Sequence, residues 1–255
     1  MDSNALLVIK KLERKEVSIK VKILNLFAGI GGNRSKWGEK HHITAVEFDE
    51  EIASIYQKRF PNDKIIITNA FEFFEKHYKD YDFIWASPPC QTHTNLMYPR
   101  KDKKLPDLRL YSMILLLEKM YYGNWIVECI EPSFLEEVKE KNPFWVIENV
   151  KPYYKPLIPY TVKLNRHLFW SNFTIQKKRF EVNWSHPRGQ HYVSVKELCK
   201  VKNVDYELIK PIYKRDHLKG RQLLRNCVLE EIGKYILNIL TNQKQMNLTN
   251  YITNK

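Results

Sequence analysis

The sequence predicts an α/β fold, a mostly parallel and doubly wound sheet followed by a small basic region. Three observations carry that expectation. Apolar runs of strand length alternate with segments of helical period from Val21 to Ala86, the order that buries a parallel sheet under helices on both faces. Glycines 29, 31 and 32 follow the first run at once, where a strand emptying into a glycine turn lets the backbone approach a ligand. Charge is unevenly spread: Thr161–Arg225 holds 15 Lys and Arg against 5 Asp and Glu, within a chain of 255 residues and net charge +13.

Residues 1–20 carry a short A-L-L-V-I run and then charges, and suit an extra strand, an arm or a frayed end. Val21–Leu26 is the first strand, with a helix expected from Asn33 onward. The strand at 43–48 leads to a helix around 49–59, whose Ile52, Ile55 and Tyr56 share one face and which Pro61 stops. Ile65–Thr68 is the third strand, Phe71–Tyr78 a helix with a core-facing aromatic side, and Tyr81–Ala86 the fourth strand. Leu108–Tyr122 is a strong helix. Two echoing strands follow, W-I-V-E-C-I-E-P from Trp125 and W-V-I-E-N-V-K-P from Trp145, separated by a helix at Ser133–Lys141. Past Pro152, prolines at 156 and 159 and the basic run point to a smaller unit of mixed short strands. Val228–Leu240 returns to helical spacing, and the Asn- and Gln-rich tail reads as mobile. The expected division is a first α/β domain at 1–160, a small basic region at 161–222, a segment returning to the first domain at 223–241, and a tail at 242–255.

The four cysteines, Cys90, Cys129, Cys199 and Cys227, lie far apart with no C-x-x-C pair, so neither a zinc site nor a disulfide frame is indicated. Ala5–Ile9 is too short for a signal peptide, and Glu118 and Lys119 interrupt the longest apolar candidate for a membrane span. A cytoplasmic protein is expected. The basic block favours a polyanion, nucleic acid first, over a merely solvated face.

Ligands of such sheets sit outside the carboxyl ends of the strands. On that rim the glycine turn meets Glu47, an acid ending the second strand where a ribose could be held through its hydroxyls, and S-P-P-C-Q at Ser87–Gln91. The spacing of the turn is G-x-G-G rather than the G-x-G-x-x-G of dinucleotide binders. The two prolines make a rigid turn that presents Cys90. A small buried cysteine is the ordinary reading of any one thiol; this setting suits a nucleophile acting on an electron-poor ring.

F-A-G-I-G-G, V-E-F-D, S-P-P-C-Q, I-E-N-V and a late R-N-C-V stand in the order found in DNA cytosine carbon-5 methyltransferases, and the chain resembles that family over most of its length. P-C-Q and E-N-V are the specific part. The resemblance implies a Rossmann-like methyltransferase and S-adenosylmethionine as donor. Its site would be formed by Phe27, Ala28, Gly29, Gly31 and Gly32, by Glu47 on the ribose and Phe48 on the adenine, and by Asn69, Ala70, Pro88, Asn226 and Cys227. Cys90 would attack carbon 6 of a flipped cytosine, and Glu148 would hydrogen-bond ring nitrogen 3 and the exocyclic amine. Glu148 is preferred to Glu128 of the echo because Asn149 and Val150 complete the triplet.

There are departures from the family. Asn69 stands where the third motif carries an acid. Asn165-Arg166-His167 replaces an R-x-R, leaving Arg166 for the base or its phosphate with His167 as the competing assignment. Arg225 replaces a glycine before Asn226. Double-stranded DNA is the implied partner, met by Gln91, Lys101, Lys103, Lys104, Lys177, Lys178, Arg179, Trp184, Arg188 and Gln190. His186 joins the base-reading candidates, and Trp184 suits a small core equally well.

A prokaryotic or phage-like monomer is expected, and a restriction endonuclease reading the same site is the partner that would accompany it. An amino-group methyltransferase would place an aromatic residue where Cys90 stands. RNA as substrate, and a degenerate nucleic-acid-binding paralogue, are the other readings.

Overall fold

The computed structural model describes residues 19–94, 105–122 and 143–253. Seven strands form one sheet in the order β3-β2-β1-β4-β5-β7-β6. They are β1 (Lys22–Leu26), β2 (His42–Glu47), β3 (Lys64–Ile67), β4 (Phe83–Ala86), β5 (Phe144–Val150), β6 (Val162–Leu164) and β7 (His167–Ser171). The first five run parallel, while β7 pairs antiparallel with β5 and β6 antiparallel with β7. Helix α1 (Glu50–Arg59) starts at Asp49, whose carboxylate accepts from the Glu51 and Ile52 amides at 3.0 and 3.1 Å, satisfying donors a helix start leaves open. Helices α2 (Ala70–His77) and α3 (Arg109–Tyr122) follow β3 and β4.

Strand alternation divides the core in two. Ile23, Phe83, Trp85, Val146 and Phe169 pack on one face under Ile232, Ile236 and Leu240 of the C-terminal helix α7 (Glu230–Thr253). Leu24, Ile84, Ala86, Ile147 and Trp170 pack on the other under Phe74 of α2 and Leu110, Ile114 and Leu117 of α3. Of the aromatic side expected at 71–78, Phe74 and Tyr78 are buried.

Four expectations are corrected. The stretch after Asn33 is a series of turns, not a helix. Arg34 is drawn inward to a two-point ion pair with Asp63 (2.8 and 2.9 Å), and the place of a Gly233 Cβ lies 2.0 Å from the Asn33 carbonyl oxygen, so α7 closes on this backbone.

The sheet of the first domain does not end at residue 160, because β6 and β7 belong to it. Three helices, α4 (Val195–Val201), α5 (Tyr206–Arg215) and α6 (His217–Asn226), replace the expected short strands. Ser194, Asp205 and Asp216 cap them, and Leu198, Cys199, Ile209, Ile212 and Leu224 fill a third core that also takes in Ile30 and Ile55. The polar tail does not leave the helix at Leu240, since α7 continues to Thr253. The first echo strand with Glu128, the helix at Ser133–Lys141 and Cys129 lie outside the described residues. No helix among the described residues is long and apolar enough to cross a membrane.

Candidate active site

The carboxyl ends of β1, β2, β4 and β5 open into a cleft of about 510 Å³. Its floor is the turn after β1. Phe27 and Gly29 both have φ of 54°, a left-handed conformation costly for any residue with a Cβ. A Cβ on Gly29 would meet nothing within 4 Å, so its backbone faces open space. Gly31, expected at the cofactor, is turned away: a Cβ there would lie 2.3 Å from the Phe60 ring, and the residue does not line the cleft. Gly32 does line it, and its own Cβ would collide with Cys227 Cβ at 2.7 Å and the Val228 carbonyl oxygen at 2.8 Å. The last two glycines are thus demanded by packing and the first by its left-handed φ, with its backbone open to the cleft.

Glu47 ends β2 with its carboxylate accepting from the Gly29, Phe48 and Asp49 amides at 2.9, 2.9 and 3.1 Å. Three amide donors, two on Oε1 and one on Oε2, hold the acid in place and leave about one lone pair, on Oε2, for a hydroxyl donor. Beside it Phe48 is 76% exposed, a free aromatic face on the cleft wall. Phe71 closes the next side, edge-on to Phe27 at 4.8 Å and under the Arg109 guanidinium at 4.5 Å. Asn69 and Ala70 line the same wall. Both ends of the Asn69 amide are engaged, however: Oδ1 accepts from Phe71 N at 3.0 Å and Nδ2 donates to Glu72 at 2.9 Å. Its place in the sequence suits a ligand contact, but its conformation is that of a helix cap.

Beyond β4, Ser87-Pro88-Pro89 carries Cys90 to the far side of the cleft. Asn149, 2% exposed, donates to the Pro88 carbonyl at 2.9 Å, so the proline turn is tied to the end of β5. The Cys90 carbonyl accepts from His93 N and Thr94 N, each at 3.0 Å. Burial, and next the Glu148 carboxylate, push the Cys90 thiol above its ordinary range, while the Arg166 guanidinium opposes them.

On β5, Glu148 alternates with Asn149 and points with Val146. Its cross-strand partner is Phe169, so His167 is the diagonal neighbour on the same face. His167 Nδ1 hydrogen-bonds Glu148 Oε1, and both side chains are buried. Arg166 is placed otherwise. It does not line the cleft, although its charge acts on Glu148 and Cys90, and it donates Nε–H to His167 Nε2 at 3.1 Å and Nη2–H to the Arg225 carbonyl.

Asn226 and Cys227 complete the wall next to the glycine turn. Behind them the buried Lys202 donates to the Cys227 carbonyl at 2.5 Å, and burial pushes its pKa down to about 8. Nothing in the sequence sets Lys202 apart from its neighbours. The Asn149 tie had a signal in the E-N-V triplet, although a linear motif does not say what its asparagine holds.

Residues 21–98 match the family of C-5 cytosine-specific DNA methylases. The methylase match thus covers the glycine turn, Glu47 and Cys90, while Glu148 and His167 lie beyond it. Similar solved structures include a DNMT2 triple mutant of Spodoptera frugiperda, 27% identical over 51% of this chain and 35% of that one, with a TM-score of 0.34. A putative DNA modification methyltransferase from an Escherichia coli prophage is 19% identical over 54% and 34%, with a TM-score of 0.32. Entamoeba histolytica EhMeth is 18% identical over 72% and 66%, with a TM-score of 0.36. The chain spans about a third of the length of the first two. No curated protein sequence matches it significantly.

The methylase donor, S-adenosylmethionine, fits the observed donor set: an exposed aromatic face for adenine, a rigid acid for a ribose hydroxyl and an open glycine backbone. Phe48, Glu47 and Gly29 would hold it.

A second groove, of about 750 Å³, is lined by Lys163, Lys177, Lys178, Arg179 and Trp184. Asn165 fastens its strap to the β6–β7 turn, donating to the Phe180 carbonyl at 2.8 Å and accepting from Phe180 N at 3.1 Å. Lys178 sits over the Phe180 and Tyr235 rings at 5.5 and 5.1 Å. Trp184 also packs against the third core. Arg188 lies over Tyr192, and His186 stacks on the same ring. Gln190 stands in a short 3₁₀ turn. Gln91 lines the Cys90 cleft instead. Lys101, Lys103 and Lys104 lie outside the described residues.

Proposed function

We propose that this chain transfers a methyl group from S-adenosylmethionine to carbon 5 of a cytosine extruded from DNA. The observation that carries the reading is one cleft in which Cys90 and the buried Glu148–His167 pair face a nucleoside-shaped wall of Gly29, Glu47 and Phe48. The donor, when bound, supplies an electrophilic methyl. The Cys90 thiol first gives its proton to solvent water, and the thiolate then adds to carbon 6, forming the S–C6 bond and moving the ring π pair toward carbon 5. As the base enters, the Glu148 carboxylate takes up a proton from solvent water and passes it from its free oxygen to ring nitrogen 3, so the developing charge is neutralised. Carbon 5 takes the methyl. Loss of its proton to water, with nitrogen 3 returning its proton to Glu148, restores the double bond and expels the Cys90 thiolate. Extrusion of the base is required because stacking hides both ring carbons.

The basic groove supports a polyanion-binding role for residues 172–222, which we assign to target recognition, with Lys177 and Arg179 on phosphates. The activity is tested with labelled donor on duplex DNA and on transfer RNA. Expected are transfer to DNA, its loss in Cys90→Ser, and covalent capture on DNA carrying 5-fluorocytosine, whose fluorine cannot leave as a proton. Transfer confined to RNA would move the substrate assignment. Full activity of the serine variant would overturn the covalent mechanism.

A further inference from the structure

We propose that Arg166 acts as a tautomer lock, and that His167, held as the neutral Nδ1–H form, is the positioning residue for Glu148. The proposal rests on the catalytic role given above to Glu148. Arg166 Nε bears a hydrogen and no lone pair, so its 3.1 Å contact makes His167 Nε2 the acceptor. The imidazole proton then resides on Nδ1, the atom against Glu148 Oε1. One carboxyl oxygen is thereby occupied by a donor, and the other is left for the base. The opposite tautomer would turn a lone pair toward Glu148 and a proton toward a guanidinium.

The lock is itself held. The other arm of Arg166 reaches the Arg225 carbonyl in the last turn of α6, where carbonyls lack partners within the helix and the dipole favours a cation. The groups facing the ring are Glu148, Arg166 and Lys202. Burial, foremost, and the two cations keep His167 below its ordinary pKa despite the carboxylate, which agrees with a neutral ring. Neighbouring residues therefore have separate tasks. His167 lines the cleft, while Arg166 does not line it: it holds the His167 ring from the other side, and its charge also opposes the rise of the Cys90 thiol.

The test combines a spectrum with a double-mutant cycle. In protein labelled with ¹⁵N-histidine, the His167 signals, assigned by their loss in His167→Asn, should show a pyrrole-type Nδ1 and a pyridine-type Nε2 at neutral pH. Arg166→Met should abolish that pattern. In single-turnover methyl transfer, His167→Leu should lose about tenfold or more, the scale of one hydrogen bond to a charged or reacting group. Donor binding should be unchanged. His167→Asn, whose amide places N–H near the position of Nδ1, should restore most of that loss.

Compared at a pH where Cys90 alkylation is saturated in every variant, so that the charge of Arg166 on the thiol drops out, Arg166→Met should slow the wild-type background but add little to His167→Asn, which has no tautomer to lock. An equal cost in both backgrounds would mean that Arg166 touches substrate, and would overturn the proposal. So would an Nε2–H or doubly protonated ring. The spectrum needs no substrate, so failure of cytosine methylation would sink the proposed function while leaving the tautomer assignment standing on its own measurement.

Discussion

Removing the Asn149 side chain tests whether the end of β5 holds the proline turn that presents Cys90. In Asn149→Ala the Pro88 carbonyl loses its 2.9 Å donor in a buried setting, and Val150 N loses its 2.9 Å acceptor in a partly buried one. A buried polar group left unpaired costs about 1–3 kcal/mol, and an ordinary hydrogen bond contributes roughly 0.5–1.5 kcal/mol net. The expected destabilisation is therefore about 2–4 kcal/mol, measured by urea unfolding with an unchanged slope so that the denatured state is not the cause.

Activity should change as well. Pro88 stands two residues before Cys90, the nucleophile in the proposed function, and a misplacement of about 1 Å can cost on the order of 10²-fold in rate. The single-turnover rate should then fall well beyond what the folded fraction accounts for, while donor affinity, assigned in the proposal to Phe48 and Glu47 across the cleft, holds. A loss below about 1 kcal/mol would refute the argument that this side chain is the tie. A rate that simply tracks the folded fraction would show that the tie is structural only.

Three other outcomes follow from the same geometry. The Glu148 carboxylate helps push the Cys90 thiol up, so Glu148→Gln should move half-maximal Cys90 alkylation, followed by peptide mass spectrometry, to lower pH; no movement or a rise would contradict that coupling. Replacing Lys177, Lys178 and Arg179 together by glutamine should weaken DNA binding and flatten its salt dependence by roughly one log unit per lost phosphate contact, and an unchanged slope would make the groove a solvated face. Gly32→Ala forces a methyl against the Cys227 Cβ at 2.7 Å and the Val228 carbonyl oxygen at 2.8 Å, an overpacking of about 1–3 kcal/mol. Calorimetric titration should show weaker donor binding as Asn226 and Cys227 shift; unchanged affinity would argue that this wall does not touch the donor.

The parallel sheet was legible in the chain because strand alternation, helix caps and glycine and proline turns are local physics, readable over a few residues. For the same reason Cys90 behind two prolines and Glu148 before Asn149 stood out as candidates. The basic character of 161–222 was equally plain. Its architecture was not: β6 and β7 complete the sheet, and α4–α6 bury their apolar faces against Ile30 and Ile55, partners more than a hundred residues away.

Only the folded chain separates residues that look alike in a motif. Gly29 opens to the cleft while Gly31 meets the ring of Phe60. Asn69 caps a helix, and of the neighbours Arg166 and His167 only the second lines the cleft. A side chain's direction along a strand follows from alternation, but which direction faces the site follows from cross-strand pairing. That pairing is set by burial summed over the whole sheet, and no short stretch of sequence contains it.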